Sequence, residues 1–368
     1  MDITNEVYVS PYSCYINLTS KCNLRCKHCF GDYSGRGDDE LNIDEWKEVI
    51  DDLIRCNVFY VVLSGGEVTQ SPIFKELIDY LTKKGMYFIL TTNGVFSDDM
   101  RDFIVDNKEY LISVKISLDG PDRESHGFIR LDSQRKYNPT MFDITMNNIY
   151  YFKKMNISIS IATVLHKENI RKMEEFQKLI KEINPIDWFI SPIIPIGRGK
   201  ANKFISEFYE YYDNAFWESV SDEGKKNKIN IRIIDMPVEM GQKGLSAYSC
   251  AAAINFCEIH SDGTVSPCTL SRVIIPEKFM KFENIRDKSL QEIWDGKVFE
   301  KFRGYMNVGC DGCKMLSKCN KCVAQSFRYF GDGKSPTPFC IRNGRALGLD
   351  RLKEYGDKLK NEFDLNIK

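Results

Sequence analysis

Thirteen cysteines constrain this chain more than any other feature, because eleven of them fall in two groups. Cys22, Cys26 and Cys29 sit within eight residues, and Cys250, Cys257, Cys268, Cys310, Cys313, Cys319, Cys322 and Cys340 occupy the last third. Between Cys56 and Cys250 there is no cysteine at all. A chain of 368 residues with 43% hydrophobic residues builds a core without a disulfide framework. Grouped thiols in such a chain read as metal ligands in a reducing compartment, in two separate regions. Cys14, inside CYINL, and Cys56, after an amphipathic stretch, stand alone and read as ordinary buried thiols, since free cysteine packs as a small hydrophobe.

Charge excludes several partner classes. Lysine plus arginine (51) balances aspartate plus glutamate (52), a formal charge of -1, so nothing pulls the whole chain toward nucleic acid or an anionic membrane. No apolar run approaches the roughly 18 residues of a membrane span. The start, MDITNEVYVSPYSC, is acidic where a signal peptide is basic. A soluble, cytoplasmic protein is expected, without nucleic-acid or membrane partners.

Strand-like runs alternate with helical patterns through the first 200 residues or so. Strands are expected at Cys14 to Leu18, Phe59 to Leu63, Met86 to Thr92, Ser113 to Ser117, Ile157 to Val164 and Trp188 to Ile194. Between them, Trp46, Val49, Ile50, Leu53 and Ile54 lie at helical spacing, as do Phe74, Leu77, Ile78 and Leu81 after Ser71-Pro72, and Met173, Phe176, Ile180 and Ile183. Six β/α units predict an α/β fold with a parallel sheet, either an open six-unit barrel or a doubly wound sheet. In both, ligands gather at the C-terminal ends of the strands.

The unusual residues follow those strand ends. Three thiolates spaced by three and two residues can bind three irons of a 4Fe-4S cube and leave the fourth iron open; a zinc site, with His28 as fourth ligand, is the alternative. Gly65-Gly66-Glu67 alone reads as a turn, but at a strand end beside a cysteine loop it lets backbone approach a ligand and offers acceptors to an ammonium group. Ser117 and Asp119, in Ser-Leu-Asp-Gly-Pro, suit ribose hydroxyls; the Asp-Gly-Pro run also suits a plain turn.

Cys22-Asn-Leu-Arg-Cys26-Lys-His-Cys29, Gly-Gly-Glu and Ser-Leu-Asp-Gly-Pro, in that order, resemble radical S-adenosylmethionine (SAM) enzymes over most of residues 10 to 200. The resemblance implies a partial (β/α)6 TIM-type barrel, with Cys22, Cys26 and Cys29 on a 4Fe-4S cluster and Gly65, Gly66 and Glu67 at the methionyl amine of SAM. It further implies Ser117 and Asp119 near the ribose, His28 beside the adenine and Arg130 at the methionyl carboxylate. The back block, with Gly263 four residues before Cys268 and Cys310-x2-Cys313-x5-Cys319-x2-Cys322 ahead of Cys340, resembles the SPASM extension of radical SAM peptide maturases. By that similarity Cys250, Cys257, Cys268 and Cys322 hold one auxiliary 4Fe-4S cluster, and Cys310, Cys313, Cys319 and Cys340 a second. The family often has three residues where Asn320 and Lys321 stand alone, and two four-cysteine zinc knuckles remain the alternative. The expected division is residues 1–235 for the barrel, 236–345 for the cysteine-rich iron-sulfur domain and 346–368 for a C-terminal helix striped by Leu349, Leu352, Tyr355, Leu359 and Phe363.

These resemblances imply an oxidoreductase that cleaves SAM reductively to a 5'-deoxyadenosyl radical and modifies a peptide or protein substrate, by cross-link, thioether or epimerisation. Anaerobic sulfatase maturases, of the same type, carry Asp directly after the third back cysteine; here Thr269 stands there, which disfavours that activity. Tetrapyrrole side-chain processing is the alternative chemistry, because haem-biosynthetic relatives share the two-residue spacing of Cys319 and Cys322. Expected partners are a low-potential donor such as flavodoxin or ferredoxin and, since 21 residues before Cys22 leave little room for a leader-binding domain, a separate leader-peptide recognition protein. The aromatic run Phe204, Phe208, Tyr209, Tyr211, Tyr212, Phe216 and Trp217 reads as either a groove lining or a helix with a buried face. Eleven grouped cysteines predict about twelve irons per chain after anaerobic reconstitution. Iron near four, with zinc at the back block, is the contrary result in a metal assay.

Overall fold

The computed structural model describes residues 7–31, 33, 39–194, 196–201, 220, 222, 224, 226, 229–233, 250–310, 319–335, 341–342 and 345–346. The aromatic run of 204–217, Cys313, Cys340 and the expected C-terminal helix lie outside them. Seven strands run parallel and neighbour one another in chain order: β1 (Ser13–Asn17), β2 (Tyr60–Ser64), β3 (Tyr87–Thr92), β4 (Leu111–Ser117), β5 (Ile159–Leu165), β6 (Asp187–Pro192) and β7 (Ile231–Ile233). Helices connect the strands from β1 to β6, giving the partial barrel. The strand order is linear, so the barrel stays open. Beyond β1 the sheet continues into the back block: β8 (Phe256–Ile259) runs parallel beside β1, and β9 (Thr264–Ser266) and β10 (Glu283–Asn284) follow antiparallel.

Local chemistry explains the helices that the spacing predicts. Helix α1 (Ile43–Arg55) begins at Asn42, whose Oδ1 accepts from the Asp44 and Glu45 amides at 2.9 and 3.2 Å, while Glu45 Oε2 accepts from the Asn42 amide at 2.8 Å. This reciprocal cap satisfies donors that a helix start leaves orphaned. Trp46, Val49, Ile50 and Leu53 are buried, each large aliphatic contributing about 1.5–3 kcal/mol. Ile54 is exposed instead, because it falls one position past the buried stripe. In α2 (Phe74–Lys83) the four expected apolar residues are buried, but the helix starts two residues after Pro72, following a short 3-10 turn at Val68–Gln70. Met173, Phe176, Ile180 and Ile183 are buried on one face of the helix Met173–Ile183.

The back block is docked on α1. Asp52, buried there, accepts the Leu290 amide at 2.6 Å, Arg286 pairs with Glu45 at 2.7 Å, and Trp294 Nε1 donates to the Tyr8 carbonyl at 2.9 Å. Asp52→Ala leaves a buried amide without its acceptor and is expected to cost about 1–3 kcal/mol in urea unfolding. Asp52→Asn, which keeps an acceptor oxygen, is expected to lose less.

Candidate functional site

The front cysteine loop leaves the C-terminal end of β1 and is clamped from two sides. Arg25 and Lys27 amides donate to the Leu131 and Ile129 carbonyls at 2.8 Å, and Arg198 reaches back with its amide to Cys29 O at 2.9 Å and its Nε to Cys26 O at 2.8 Å. The loop after β2 is laid against it: the Gly66 amide donates to Thr19 O at 2.7 Å and the Glu67 amide to Lys21 O at 2.8 Å. A Cβ on Gly65 would stand 2.7 Å from Thr19 O, and one on Gly66 2.3 Å from Lys21 O. The glycines therefore serve backbone-to-backbone approach of two site loops.

Cys22, Cys26 and Cys29 act electrostatically on one another, and burial pushes the Cys22 thiol up to about 12 and Cys26 upward. Arg130 lies within electrostatic range of both Cys22 and Cys26. Thiols of raised pKa such as Cys22 and Cys26 need a nearby cation to ionise, which iron supplies when bound. This donor set fits a thiolate-held cluster.

Around it, the structure gives the expected SAM residues uneven roles. Asp119 is fully buried; burial opposes its charged form, but the Arg130 guanidinium holds its carboxyl below the ordinary value. Its Oδ2 accepts from Arg130 Nε at 2.6 Å and its Oδ1 from the Val164 amide at 2.7 Å. The two terminal nitrogens of Arg130 have no protein acceptor among the described residues, so the fork is held at its stem and free at its tip. His28 is neutral, pushed down to about 3 by burial, with Nε2 4.0 Å from Asp119 Oδ2 and a buried, unpartnered Nδ1. Ser117 ends β4, half-buried, on the same sheet edge.

Glu67, expected at the methionyl amine, is buried where β2 ends. Its carboxylate accepts from Thr69 Oγ1 and Thr92 Oγ1, both at 2.8 Å, and from the Asn93 amide at 2.7 Å. It ties the end of β2 to the end of β3. Sequence reasoning also passed over His126 and His166: the Asp119 amide donates to His126 Nδ1 at 3.2 Å, and His166 Nε2 lies 2.9 Å from the Asp119 carbonyl. Lone histidines carry no motif, and only the fold brings these two to one loop.

In the back block the structure brings some thiols together and sets one apart. Cys268, pushed up to about 12 by burial, also feels Cys322 and Glu258. The Cys250 amide donates to Asn320 O at 3.1 Å, between Cys319 and Cys322, and the Cys310 amide to Asn307 O at 3.1 Å. Lys321, nearly buried, donates to the Val308, Gly333, Lys334 and Ser335 carbonyls at 2.7 to 3.1 Å, organising that loop. Cys257, by contrast, packs in the apolar layer with its Sγ 3.9 Å from that of Cys14.

Residues 16–180 match the radical SAM superfamily, and residues 250–323 match SPASM, an iron-sulfur cluster-binding domain. The chain is a radical SAM enzyme with a SPASM domain. It binds SAM with a 4Fe-4S cluster in the first domain and auxiliary iron-sulfur clusters in the second. Similar proteins include an AdoMet-dependent heme synthase of Methanosarcina barkeri, 27% identical over 88% of this chain and 94% of the relative. The mycofactocin maturase MftC of Mycobacterium tuberculosis is also 27% identical, over 91% of this chain and 84% of the relative. The SAM-bound crystal structure of Streptococcus suis SuiB shares the fold at a TM-score of 0.70 and 18% identity, over 92% of this chain and 77% of that one. Because Glu67 is consumed by protein donors, Glu67→Ala is expected to lower stability by about 1–3 kcal/mol per orphaned buried donor, measured by chemical unfolding.

Proposed function

We propose that this radical SAM enzyme modifies a peptide or protein, as a maturase of ribosomally made peptides. The observation that carries the SAM site is the Arg130 fork, pinned by Asp119 at 2.6 Å and left open at its tip beside Cys22 and Cys26. In this reading Cys22, Cys26 and Cys29 hold the SAM-binding cluster, and Arg130 binds the methionyl carboxylate through its two terminal nitrogens. The backbone of Gly65 and Gly66 receives the amine, and Glu67 positions that backbone and the Thr92-Asn93 turn. Ser117 takes the ribose, with Asp119 orienting Arg130 and His28 lining the adenine side. When bound, the cluster and SAM supply a 5'-deoxyadenosyl radical that removes a hydrogen atom from the substrate.

Cys250, Cys268, Cys310, Cys313, Cys319, Cys322 and Cys340 hold the auxiliary clusters. The peptide substrate rests on the mycofactocin maturase match over 91% of this chain. Among the described residues no helix is long and apolar enough to cross a membrane, and the grouped thiols suit a reducing cytoplasm. The reading includes a low-potential flavodoxin or ferredoxin as donor and, for a leader-bearing substrate, a separate recognition protein. A second reading, tetrapyrrole side-chain processing, is favoured by the heme synthase match and by the two residues between Cys319 and Cys322.

Three experiments decide. With reductant and SAM, the enzyme is expected to form 5'-deoxyadenosine, and Cys22, Cys26 and Cys29 changed together to Ala to abolish it. Arg130→Lys, which keeps the charge but loses the fork, is expected to weaken SAM binding by about tenfold or more in equilibrium dialysis. Mass spectrometry of a small precursor peptide co-expressed with the enzyme is expected to show a mass change. Stoichiometric binding of a tetrapyrrole with no change in any peptide would transfer the assignment to the second reading.

A further inference from the structure

Strand β4 turns two unlike faces to its surroundings. Val114 and Ile116 are fully buried and share an apolar cluster with Ile149 and Phe152 of the helix Thr140–Lys154, whereas Lys115 and Ser117 are half-buried. The neighbouring strands repeat the pattern. Ile161 of β5 and Trp188 of β6 are fully buried, the latter 5.4 Å between ring centroids from Phe176 on the helix Met173–Ile183, while Ala162 and Phe189 beside them are half-buried. Consecutive strand residues face opposite sides of a sheet, so one face of these strands packs on helices and the other, inside the barrel, is reached by solvent.

Lys115 stands on that inner face. The register sets it beside Thr91 of β3 and Ser160 of β5, and Ser160 beside Asp187 of β6; the next row toward the strand ends is Ser117, Ala162, Phe189 and Arg232. The Lys115 Nζ lies 4.0 Å from the centroid of the Phe189 ring, and the Arg232 guanidinium carbon lies 5.5 Å from the same centroid. Asp187 attracts Lys115 from a distance, but its carboxylate is already paired with Arg232 Nε at 2.8 Å. Among the described residues Lys115 has no hydrogen-bond acceptor and no ion pair. A ring face attracts an ammonium yet leaves its N–H donors unmatched. Burial pushes Lys115 down to about 8, which still leaves it charged at neutral pH. Two cations against one carboxylate, on a face that solvent reaches, leave room for one more anion.

We propose that Lys115, with Arg232 on the same Phe189 ring, forms a carboxylate-binding subsite on the inner face of the barrel that holds a carboxylate of the peptide substrate. The inference rests on the reading of the protein as a peptide-modifying enzyme. Lys115 lies two residues before Ser117 on one face of β4, about 7 Å along the strand, so the subsite is one row of side chains deeper in the barrel than the residue proposed for the ribose. The carboxylate end of the substrate is therefore the deepest part held, and the segment to be modified stands nearer the strand ends where the front cysteine loop lies. Arg130 is separate from this subsite, being pinned by Asp119 beyond the end of β4.

The test uses the anaerobically reconstituted full chain with SAM at saturating concentration, so that Arg130 is occupied. Affinity selection is run on three pools of short peptides with random flanks: amidated with a central Glu, amidated with a central Gln, and the Gln pool with a free C-terminal carboxylate. A fourth pair of probes, mesoporphyrin and its dimethyl ester, presents propionates in place of a peptide carboxylate. A pool that carries a carboxylate is expected to be captured about tenfold better than the neutral pool, and the two acidic pools tell a side chain from a C-terminus. Lys115→Met, of similar length and uncharged, is expected to remove the preference, and Lys115→Arg to keep most of it. Circular dichroism melting confirms that each variant is folded, with Lys115→Gln as the substitute should the Met variant not fold. No preference for any acidic probe in the unchanged protein, or an undiminished preference in the folded neutral variant, overturns the inference. A preference confined to mesoporphyrin over its ester, and lost in Lys115→Met, overturns the peptide as the source of the carboxylate and leaves the subsite standing under the tetrapyrrole reading.

Discussion

Strand β1 is hydrogen-bonded along both edges, to β2 on one side and β8 on the other, and both neighbours run parallel to it. Parallel neighbours end on the same side of a sheet, so the loops that leave them open onto one edge. The front cysteine loop leaves β1 there, Gly65-Gly66-Glu67 leaves β2, and the β8–β9 connection carries the chain on toward Cys268. β9 then turns back antiparallel to β8 before Cys268, so five residues of β1 join the strands that carry two cysteine groups more than 200 residues apart in sequence. The SPASM segment is an extension of the barrel's own sheet, further fastened by Asp52 and Arg286 to α1.

The site is built less by ligand-facing side chains than by buried polar groups that hold other groups in place. Asp119 spends one oxygen on Arg130 and the other on the Val164 amide, while its backbone amide and carbonyl meet His126 and His166. An ion pair buried this fully contributes little net stability, since desolvation offsets attraction; its retention fixes the direction of the Arg130 fork. Burial pushes His126 down to about 3 and His166 to about 4, so both imidazoles stay neutral and serve as fixed hydrogen-bonding shapes. Glu67 does for the β2 and β3 loops what Asp119 does for Arg130.

Periodicity made the helices legible. The stripes Phe74 to Leu81 and Met173 to Ile183 are buried as their spacing predicts, because an amphipathic helix carries its partner's position in its own pattern. Cysteine spacing likewise exposed the two metal regions, since ligands on one loop must sit close in sequence. What was not legible depends on neighbours far along the chain. Strand β7, where Ile229, Ile231 and Ile233 alternate with polar residues, is three residues long and acquires meaning only beside β6. That β8 joins the barrel through β1 follows from a pairing of residues 243 apart, which no local pattern announces.

The same limit explains why the cysteines could be grouped but not sorted. A thiol is at once a small hydrophobe and a soft ligand, so composition treats Cys14, Cys257 and Cys268 alike. Their environments differ by the face of the sheet they occupy, and a strand changes face at every residue. Cys257 sits only seven positions after Cys250, yet the register against β1 sends its sulfur into the layer of Cys14 and gives the opposite face to Glu258. Moving the β1–β8 register by one residue would exchange the two side chains, turning Cys257 toward Thr269 and Glu258 toward Cys14. The register therefore decides which of two adjacent residues joins the packed layer of Cys14 and which meets Thr269.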